Sequence, residues 1–542
     1  EISKSNSKTF KLSIMCGIYG TTIPYTKEQV KHKLERTKFR GPDRLQQKQL
    51  KTNTGTLSLG HNRLSIIDLD ERSDQPFSYK YVHIAFNGEI YNFQDIKNTL
   101  QAKGYSFRTT SDTEVVCAAY LEYGKECVTH FNGMFAFVIY DEKKQILFGA
   151  LDRLAQKPFY YFIKGTQFEF ASQISSIQLY NSGLSISKKA IEGYLSWGYI
   201  PSTQSIFNEV QKLAAGHRFE FDLSTGKFET ESYWDIPYTT PQDKTISYTD
   251  AKDKLEELIT DATKIRLFAD VPVGVFLSGG IDSSLVTALA CKSTTEQVKT
   301  FSIKFNDKGF DESYFAQEVA SHLQTDHHTI TCDKNDGLDL IENFSHYYDE
   351  PFADSSAIPS MLLAKHTKKH VTVALSGDAG DENFLGYHRY DWLRIINYFM
   401  VLPYALRKVI AKSFSTLPNY KYKMVGRVIN SRTIEEAYLK SIHDPNPNWL
   451  ILKSVQKELE EIKYLKSTAT DIYQKVGNFD LKTYLPYDIN TKVDRATMAY
   501  SLEARSPLLD YRVVEFAQTL PTSFKYEHGN QKKILKDVLY RH

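Results

Sequence analysis

The chain has 542 residues, 41% hydrophobic and 24% charged, so it can bury large cores; a binding peptide, a lone small module and wholesale disorder are excluded. At about 150 residues per domain the length allows three to four domains, or two large ones. Its 67 Lys and Arg against 65 Asp and Glu leave a formal charge of +2, too balanced for binding nucleic acid or an anionic membrane by bulk charge, so any anion must be held locally.

Residues 1–14 carry no initiating Met and lack the apolar core and cleavage site of a secretory signal; they read as a leader or upstream translation ahead of a start at Met15. From there to residue 221, short β-type runs recur at 16–20, 64–67, 81–86, 134–140, 145–150 and 168–171, with helical patterns at 93–103 and 113–123. Many strands with few helices predict an α+β domain of stacked antiparallel sheets between helices. Residues 222–246 are polar and turn-rich and predict a linker.

A second domain is expected over 247–542. Its first helix, 251–268, places Leu255, Leu258, Ile259, Ala262 and Ile265 on one face. Apolar runs at 271–277, 299–305 and 370–375 then alternate with helices, which predicts a parallel α/β sheet with ligands at the carboxyl ends of its strands. Residues 391–542 read as mainly helical, and 534–542 as a helix still running at the last residue, so the domain is expected to be shortened there. The longest apolar stretch, 395–406, contains Pro403 and falls short of the roughly 20 residues of a membrane helix, so no span is predicted. The five cysteines form an odd set without a CxxC spacing, which argues against a disulfide framework or structural zinc and suits a reducing cytoplasm.

Three segments carry chemistry. Ser278-Gly279-Gly280-Ile281-Asp282-Ser283-Ser284 joins a strand to a helix; its glycines, hydroxyls and new helix N-terminus make a phosphate pocket, without the spacing or Lys of a Walker A loop. Asp282 would repel an anion there unless it ligates Mg²⁺. Ser376-Gly377-Asp378-Ala379-Gly380-Asp381-Glu382 crowds three carboxylates beside two glycines, a second contact to the same ion. In the first domain, Cys16 follows Met15, so removal of Met would make it the first residue and its α-amine a base for its own thiol. Asn87, Gly88 and Glu89 follow a strand and offer an oxyanion hole, while Arg63 and Asp112 offer opposite charges to a zwitterionic amino acid.

The order Met15-Cys16-Gly17-Ile18-Tyr19-Gly20, Phe39-Arg40-Gly41-Pro42-Asp43, His61-Asn62-Arg63-Leu64, Asn87-Gly88-Glu89-Ile90, Ser111-Asp112 and Asn132-Gly133-Met134-Phe135 resembles the glutaminase domain of glutamine-hydrolysing asparagine synthetases. The Ser278 and Ser376 segments, Phe301-Ser302-Ile303, and the run from Lys492-Val493-Asp494-Arg495 to Glu503-Ala504-Arg505 resemble the synthetase domain of that family. The resemblance implies an N-terminal-nucleophile hydrolase fold followed by an ATP-pyrophosphatase fold. It implies that Cys16 attacks the glutamine amide, that Asn87 and Gly88 stabilise the oxyanion, and that Arg63, Leu64, Glu89 and Asp112 bind the amino acid. Ammonia would cross a mostly apolar tunnel to a site where Mg-ATP adenylates aspartate. There Leu277, Ser278, Gly279, Gly280, Asp282, Ser283, Ser284, Ile303, Ser376 and Gly377 would bind the nucleotide, and Asp282 and Asp381 would hold Mg²⁺. Asp378 would serve acyl-adenylate formation, and Lys492 and Arg495 would neutralise pyrophosphate. ATP, glutamine and aspartate are thus the expected small-molecule partners, with no nucleic acid or membrane, a cytoplasmic location and a homodimer as the assembly carried forward.

The chain departs from the family pattern at Ala155 and Leu385, each where relatives commonly have Gly, and within the segment from Ala379 to Gly386 at Asn383, where relatives have an apolar residue. Two other readings remain open from sequence: the same chemistry on another carboxylate acceptor, such as a sugar acid, and a non-catalytic binding or regulatory homologue.

Overall fold

The computed structural model describes residues 16–41, 43–237, 246–305, 311–332, 334–442, 465 and 471–542. The first half holds two six-stranded antiparallel sheets. One runs, in spatial order, Val210–Lys212, Tyr160–Lys164, Gln167–Ala171, Gly17–Thr21, Gly55–Arg63, Arg44–Thr52; the other runs Phe228–Ser232, His217–Asp222, Ile146–Leu151, Gly133–Asp141, Val82–Ile90, Phe77–Tyr79. Alternate residues of both (Ile18, Leu59, Ala85, Val138, Phe168, Phe219) meet between the sheets in one core. The outer face of the second sheet is covered by helices Phe93–Ala102 and Asp112–Tyr123, and that of the first by Lys27–Glu35 and Ile174–Gln178. The result is helix, sheet, sheet, helix.

The second half is built on a parallel sheet in the order Asp326–Cys332, Lys299–Phe305, Val273–Phe276, Val373–Leu375, Glu503–Arg505. Tyr248–Arg266, Ile281–Ser293, Tyr511–Thr519 and Lys533–Leu539 pack on the face that carries Val275 and Leu375. Ala357–Thr367 packs on the face that carries Phe301 and Ala374. The strand order reverses direction between Val273–Phe276 and Val373–Leu375, which opens a crevice beyond their carboxyl ends. The expected class, antiparallel α+β followed by parallel α/β with a helical C-terminal part, is the one observed. No helix among the described residues is long and apolar enough to cross a membrane.

Several local expectations change. Residues 64–67 are not a strand: Gly55–Arg63 ends just before them. Leu64 and Ile66 are apolar because they pack, with Cys16, against Val373 and Met498 of the second half. The stretch read as a linker contains a strand, Phe228–Ser232, paired to His217–Asp222; its polarity is that of an edge strand exposed on both faces, Glu229 to Ser232 all being exposed. The last helix is Lys533–Leu539 and closes at Tyr540 rather than running on. Residues 1–14 and 443–464 lie outside the described residues.

The halves are locked together by buried charge. Arg40 makes a two-pronged bond to Asp494, both arms 2.8 Å. Asp510 accepts from Arg266 of its own half and from Asn132 of the other, each at 2.9 Å. The Asp68 N–H donates to Asp270 Oδ2 at 2.9 Å.

Candidate active sites

Cys16 stands at the entry to the strand Gly17–Thr21. Its Sγ accepts from the Leu64 N–H at 3.4 Å and its thiol donates to the Leu64 carbonyl at 3.7 Å. Burial pushes the thiol up to about 12, against a lowering contribution from Leu64 and Arg63, so the side chain rests as a thiol and needs a base to become a nucleophile. Across from it, Asn87 is buried on Val82–Ile90 with Nδ2 3.5 Å from Ser172 Oγ. The same hydroxyl accepts from the Ile18 N–H at 3.0 Å. Ser172 therefore ties the Cys16 strand to Asn87, a link that no spacing in the sequence announces. Gly88 has φ of +146°, and a Cβ there would lie 2.0 Å from the Met134 carbonyl; only Gly permits that close strand approach.

Glu89 and Asp112 form a buried acidic pair. Burial raises both carboxyls, Glu89 well above its usual range with further repulsion from Asp112, and Asp112 up to about 6. Asp112 Oδ2 accepts the Ile90 N–H at 2.9 Å, while Glu89 Oε1 faces Arg505 Nη2 at 3.5 Å. Such a pair is built to receive a cation. Arg63 lies nearby in sequence with one edge engaged: Nη1 donates to the Asp70 carbonyl at 2.8 Å and to Asp74 at 2.5 Å, and Nη2 to the Asp68 carbonyl.

The second site is a cavity of about 600 Å³ at the crevice where the parallel sheet reverses order, a size suited to a nucleotide-scale ligand. Leu277, Ser278, Gly280, Asp282, Ser283, Ile303, Ser376, Gly377, Asp378, Asp381 and Lys492 line it. Gly279, Ser284 and Arg495 are not among its lining residues. Arg495 sits instead between the halves: it donates to the Ser172 carbonyl at 3.4 Å and the Tyr160 hydroxyl at 3.3 Å of the first half, and pairs with Asp349 and Asp494 of its own at 3.3 and 3.6 Å. The two loops touch so closely that side chains are excluded: a Cβ on Gly380 would lie 2.2 Å from Asp282 Cγ, and one on Gly377 2.8 Å from the Ser283 nitrogen. Ser278 Oγ is 3.0 Å from Ser283 Oγ and accepts from the Gly280 N–H at 3.3 Å.

Lys532, which sequence reasoning missed, reaches into this cavity from the turn before the last helix. Its Nζ lies 2.5 Å from Asp282 Oδ2 and 2.8 Å from Asp381 Oδ1. Burial raises Asp282 to about 6, with Lys532 pulling it down and Asp381 and Asp378 pushing it up. Asp282 Oδ1 has no hydrogen-bond partner among the described residues. An acidic pair around one cation, with a free oxygen left over, also suits a divalent ion completed by phosphate oxygens and water. No isolated Lys in the sequence pattern marks 532; only the fold carries it over from the far end of the chain.

Asp378, raised by burial, accepts the Ser376 hydroxyl at 2.7 Å, and its carbonyl accepts the Ser506 hydroxyl at 2.7 Å. Lys492 pairs with Asp354 at 2.8 Å. A small cavity of about 20 Å³ shares Ser376, Asp378, Val493 and Thr497 with the large one and is lined further by Met134, Lys157, Ala504 and Leu509. Met134 is the cross-strand partner of Glu89. The small cavity thus lies between the two sites, with a lining of mixed polarity.

A family model described as asparagine synthase matches residues 254–542, and one described as glutamine amidotransferase domain matches residues 15–234. The chain is 33% identical over 502 residues to the glutamine-hydrolysing asparagine synthetase 1 of Bacillus subtilis, covering 89% of this chain and 76% of that protein. It is 35% identical over 530 residues to a putative asparagine synthetase 2 of Methanocaldococcus jannaschii, covering 89% and 98%. With asparagine synthetase 3 of Bacillus subtilis the identity is 29% over 568 residues, covering 97% and 86%. A cysteine site and a nucleotide-sized crevice, each inside the matching family segment, agree with these likenesses, and the chain belongs to the asparagine synthase family, with a glutamine amidotransferase domain preceding the synthase domain.

Proposed function

We propose that this chain is a glutamine-dependent asparagine synthetase, a carbon–nitrogen ligase that uses ATP. The observation that carries the reading is the pairing of two sites in one chain: a half-buried Cys16 on a strand that Ser172 ties to Asn87, and an Asp282–Ser376 crevice at the point where the sheet reverses order.

In the first site, an α-amine freed at Cys16 takes the thiol proton, and the sulfur attacks the glutamine side-chain carbonyl carbon. Asn87 Nδ2 and the Gly88 N–H stabilise the tetrahedral oxyanion. Ammonia leaves with that proton, and water cleaves the glutamyl thioester to glutamate. Glu89 and Asp112 receive the substrate ammonium, Leu64 borders the pocket, and Arg63 binds its carboxylate.

In the second site, Leu277, Ser278, Gly279, Gly280, Ser283, Ser284, Ile303, Ser376 and Gly377 surround the nucleotide. The aspartate β-carboxylate attacks the α-phosphorus and pyrophosphate departs, with Lys532 and Lys492 neutralising its charge. Arg495 is dropped from that role because it is committed to Asp349 and Asp494. Asp282 and Asp381 would hold Mg²⁺, which when bound offsets phosphate charge. Asp378 faces the acyl-adenylate and takes a proton as ammonia displaces AMP to give asparagine. Ammonia crosses by way of the small cavity between Met134 and Asp378. A cytoplasmic location and a homodimer complete the proposal.

The test is product analysis of the purified chain with glutamine labelled in its amide nitrogen, aspartate and Mg-ATP. Label in asparagine with AMP and pyrophosphate in equal amounts is expected. AMP formation that ignores aspartate would move the reading to another acceptor. Absence of both products would leave a non-catalytic homologue. Intact mass reports whether the active chain begins at Cys16.

A further inference from the structure

One residue reaches both sites, the first with its side chain and the second with its backbone. Arg505 is fully buried on Glu503–Arg505, the edge strand of the parallel sheet, paired on one side only. Three of its guanidinium contacts are internal to the second half: Nε to Glu503 at 2.6 Å, and Nη1 to the Arg266 and Phe268 carbonyls at 2.9 and 2.8 Å. The remaining nitrogen, Nη2, makes no hydrogen bond among the described residues and points across the interface at Glu89 Oε1, 3.5 Å away. The backbone of the same residue serves the other site. Its carbonyl accepts the Ser376 N–H at 2.9 Å, and the next residue, Ser506, holds the Asp378 carbonyl.

We propose that Arg505 is a positioning residue that couples the two sites, its guanidinium orienting Glu89 for the glutamine ammonium and its carbonyl holding the loop that carries Ser376 and Asp378. This rests on the glutamine-dependent reading given above. The gap from Nη2 to Glu89 exceeds a charge-assisted hydrogen bond by about 0.7 Å, so a small shift of a short edge strand makes or breaks that bond. Filling the second site fixes Ser376 and Asp378, steadies the Arg505 carbonyl, and brings Nη2 onto Glu89, which aligns the carboxylate for substrate. Linkage then requires the reverse: glutamine on Glu89 steadies the second-site loop. A mere packing role for Arg505 predicts neither effect.

The experiment compares the KM for glutamine in the native protein with and without saturating aspartate and a non-hydrolysable ATP analogue. A fall of about fivefold or more is expected in the native protein, and its loss in Arg505→Lys, which keeps the charge but lacks the second arm. Ammonium-driven AMP formation bypasses the first site, so in R505K it should fall less than the glutamine-driven reaction does. In the native protein, alkylating Cys16 with a chloroketone analogue of glutamine should also slow deuterium exchange of a peptide spanning 372–378; this measurement decides the matter alone if R505K does not fold. An unmoved KM in the native protein, a shift retained in R505K, an equal loss of ammonium-driven activity, or unchanged exchange overturns the coupling. Glutamine hydrolysis with no shift sinks the coupling alone, whereas no hydrolysis at all sinks the functional reading with it.

Discussion

Glu89 with Asp112 in the first half, and Asp282 with Asp381 in the second, are both crowded acidic pairs, yet they are neutralised in opposite ways. Among the described residues the cation that meets the first pair is Arg505 of the other half, 3.5 Å from Glu89, and both carboxyls of the pair are pushed up by burial. The second pair already holds a cation, Lys532, between its oxygens. A guanidinium tethered by backbone carbonyls moves only with its strand, whereas a lysine on a four-carbon stem can swing from carboxylate to phosphate. The first site therefore waits for the positive charge its substrate brings, and the second keeps a loan cation that an incoming anion can claim.

The sharpest way to break this comparison is to disable one site and read the other. Cys16→Ala should lower glutamine-dependent asparagine synthesis by about 10³-fold or more, while ammonium-driven synthesis persists; Asp378→Asn should do the converse, abolishing AMP formation with either nitrogen source and sparing glutamate release. Next in size, Lys532→Met should reduce kcat/KM for ATP by about 10²-fold with glutamine hydrolysis in the absence of nucleotide nearly unchanged. If K532M binds ATP as well as native in a filter or calorimetric assay, the loan-cation picture is wrong.

The two departures from the family's glycines extend the comparison to stability. Ala155 and Leu385 both keep a left-handed backbone, φ +52° and +56°, so the turn survives without Gly. Leu385 is buried against Tyr390, Val476 and Phe479, and Leu385→Gly should cost about 2–4 kcal/mol through the cavity it leaves. Ala155→Gly, which gives up only one half-buried methyl at the edge of the inter-sheet core, should gain about 0.5 kcal/mol by relieving backbone strain. Thermal melting of the two variants in opposite directions is the expected outcome.

Between these lies a pH effect. Asp488 is raised to about 8, by burial first and by Asp354 next. The folded chain thus keeps this proton to higher pH than the unfolded one. Its contribution to stability is complete below about pH 4 and is lost as pH rises towards 8. Asp488→Asn should therefore raise the melting temperature more at pH 8 than at pH 5, by a difference on the order of 2 °C; an equal effect at both would show that the carboxyl is charged throughout.

Much of the architecture was legible from pattern alone. Short β-type runs announce the stacked sheets, and the apolar strand followed by Ser278-Gly279-Gly280 announces the crevice, because local chemistry and fold agree there. The residues 64–67 misled because burial across a domain interface and burial in a sheet leave the same apolar mark. Arg44–Thr52 was passed over since only Leu50 of its side chains is fully buried. Ser172, Arg505 and Lys532 could not be found, since each acts through a partner 85 or more residues distant, and nothing local distinguishes such a residue. Arg495 illustrates the complementary case: its motif suggests a phosphate ligand, while its contacts in the fold, to Asp349, Asp494, Tyr160 and Ser172, lie at the domain interface.

The fork between Arg40 and Asp494 has a consequence for how this chain can change over time. Loss of Asp494 alone would leave the buried Arg40 guanidinium without its carboxylate, whereas loss of Arg40 alone leaves Asp494 with Arg495 at 3.6 Å, so a change at 494 should follow one at 40. Reversal of both would set an arginine at 494 against Arg495, and a chain cut between its halves would expose an unpaired guanidinium on one surface and its carboxylate on the other.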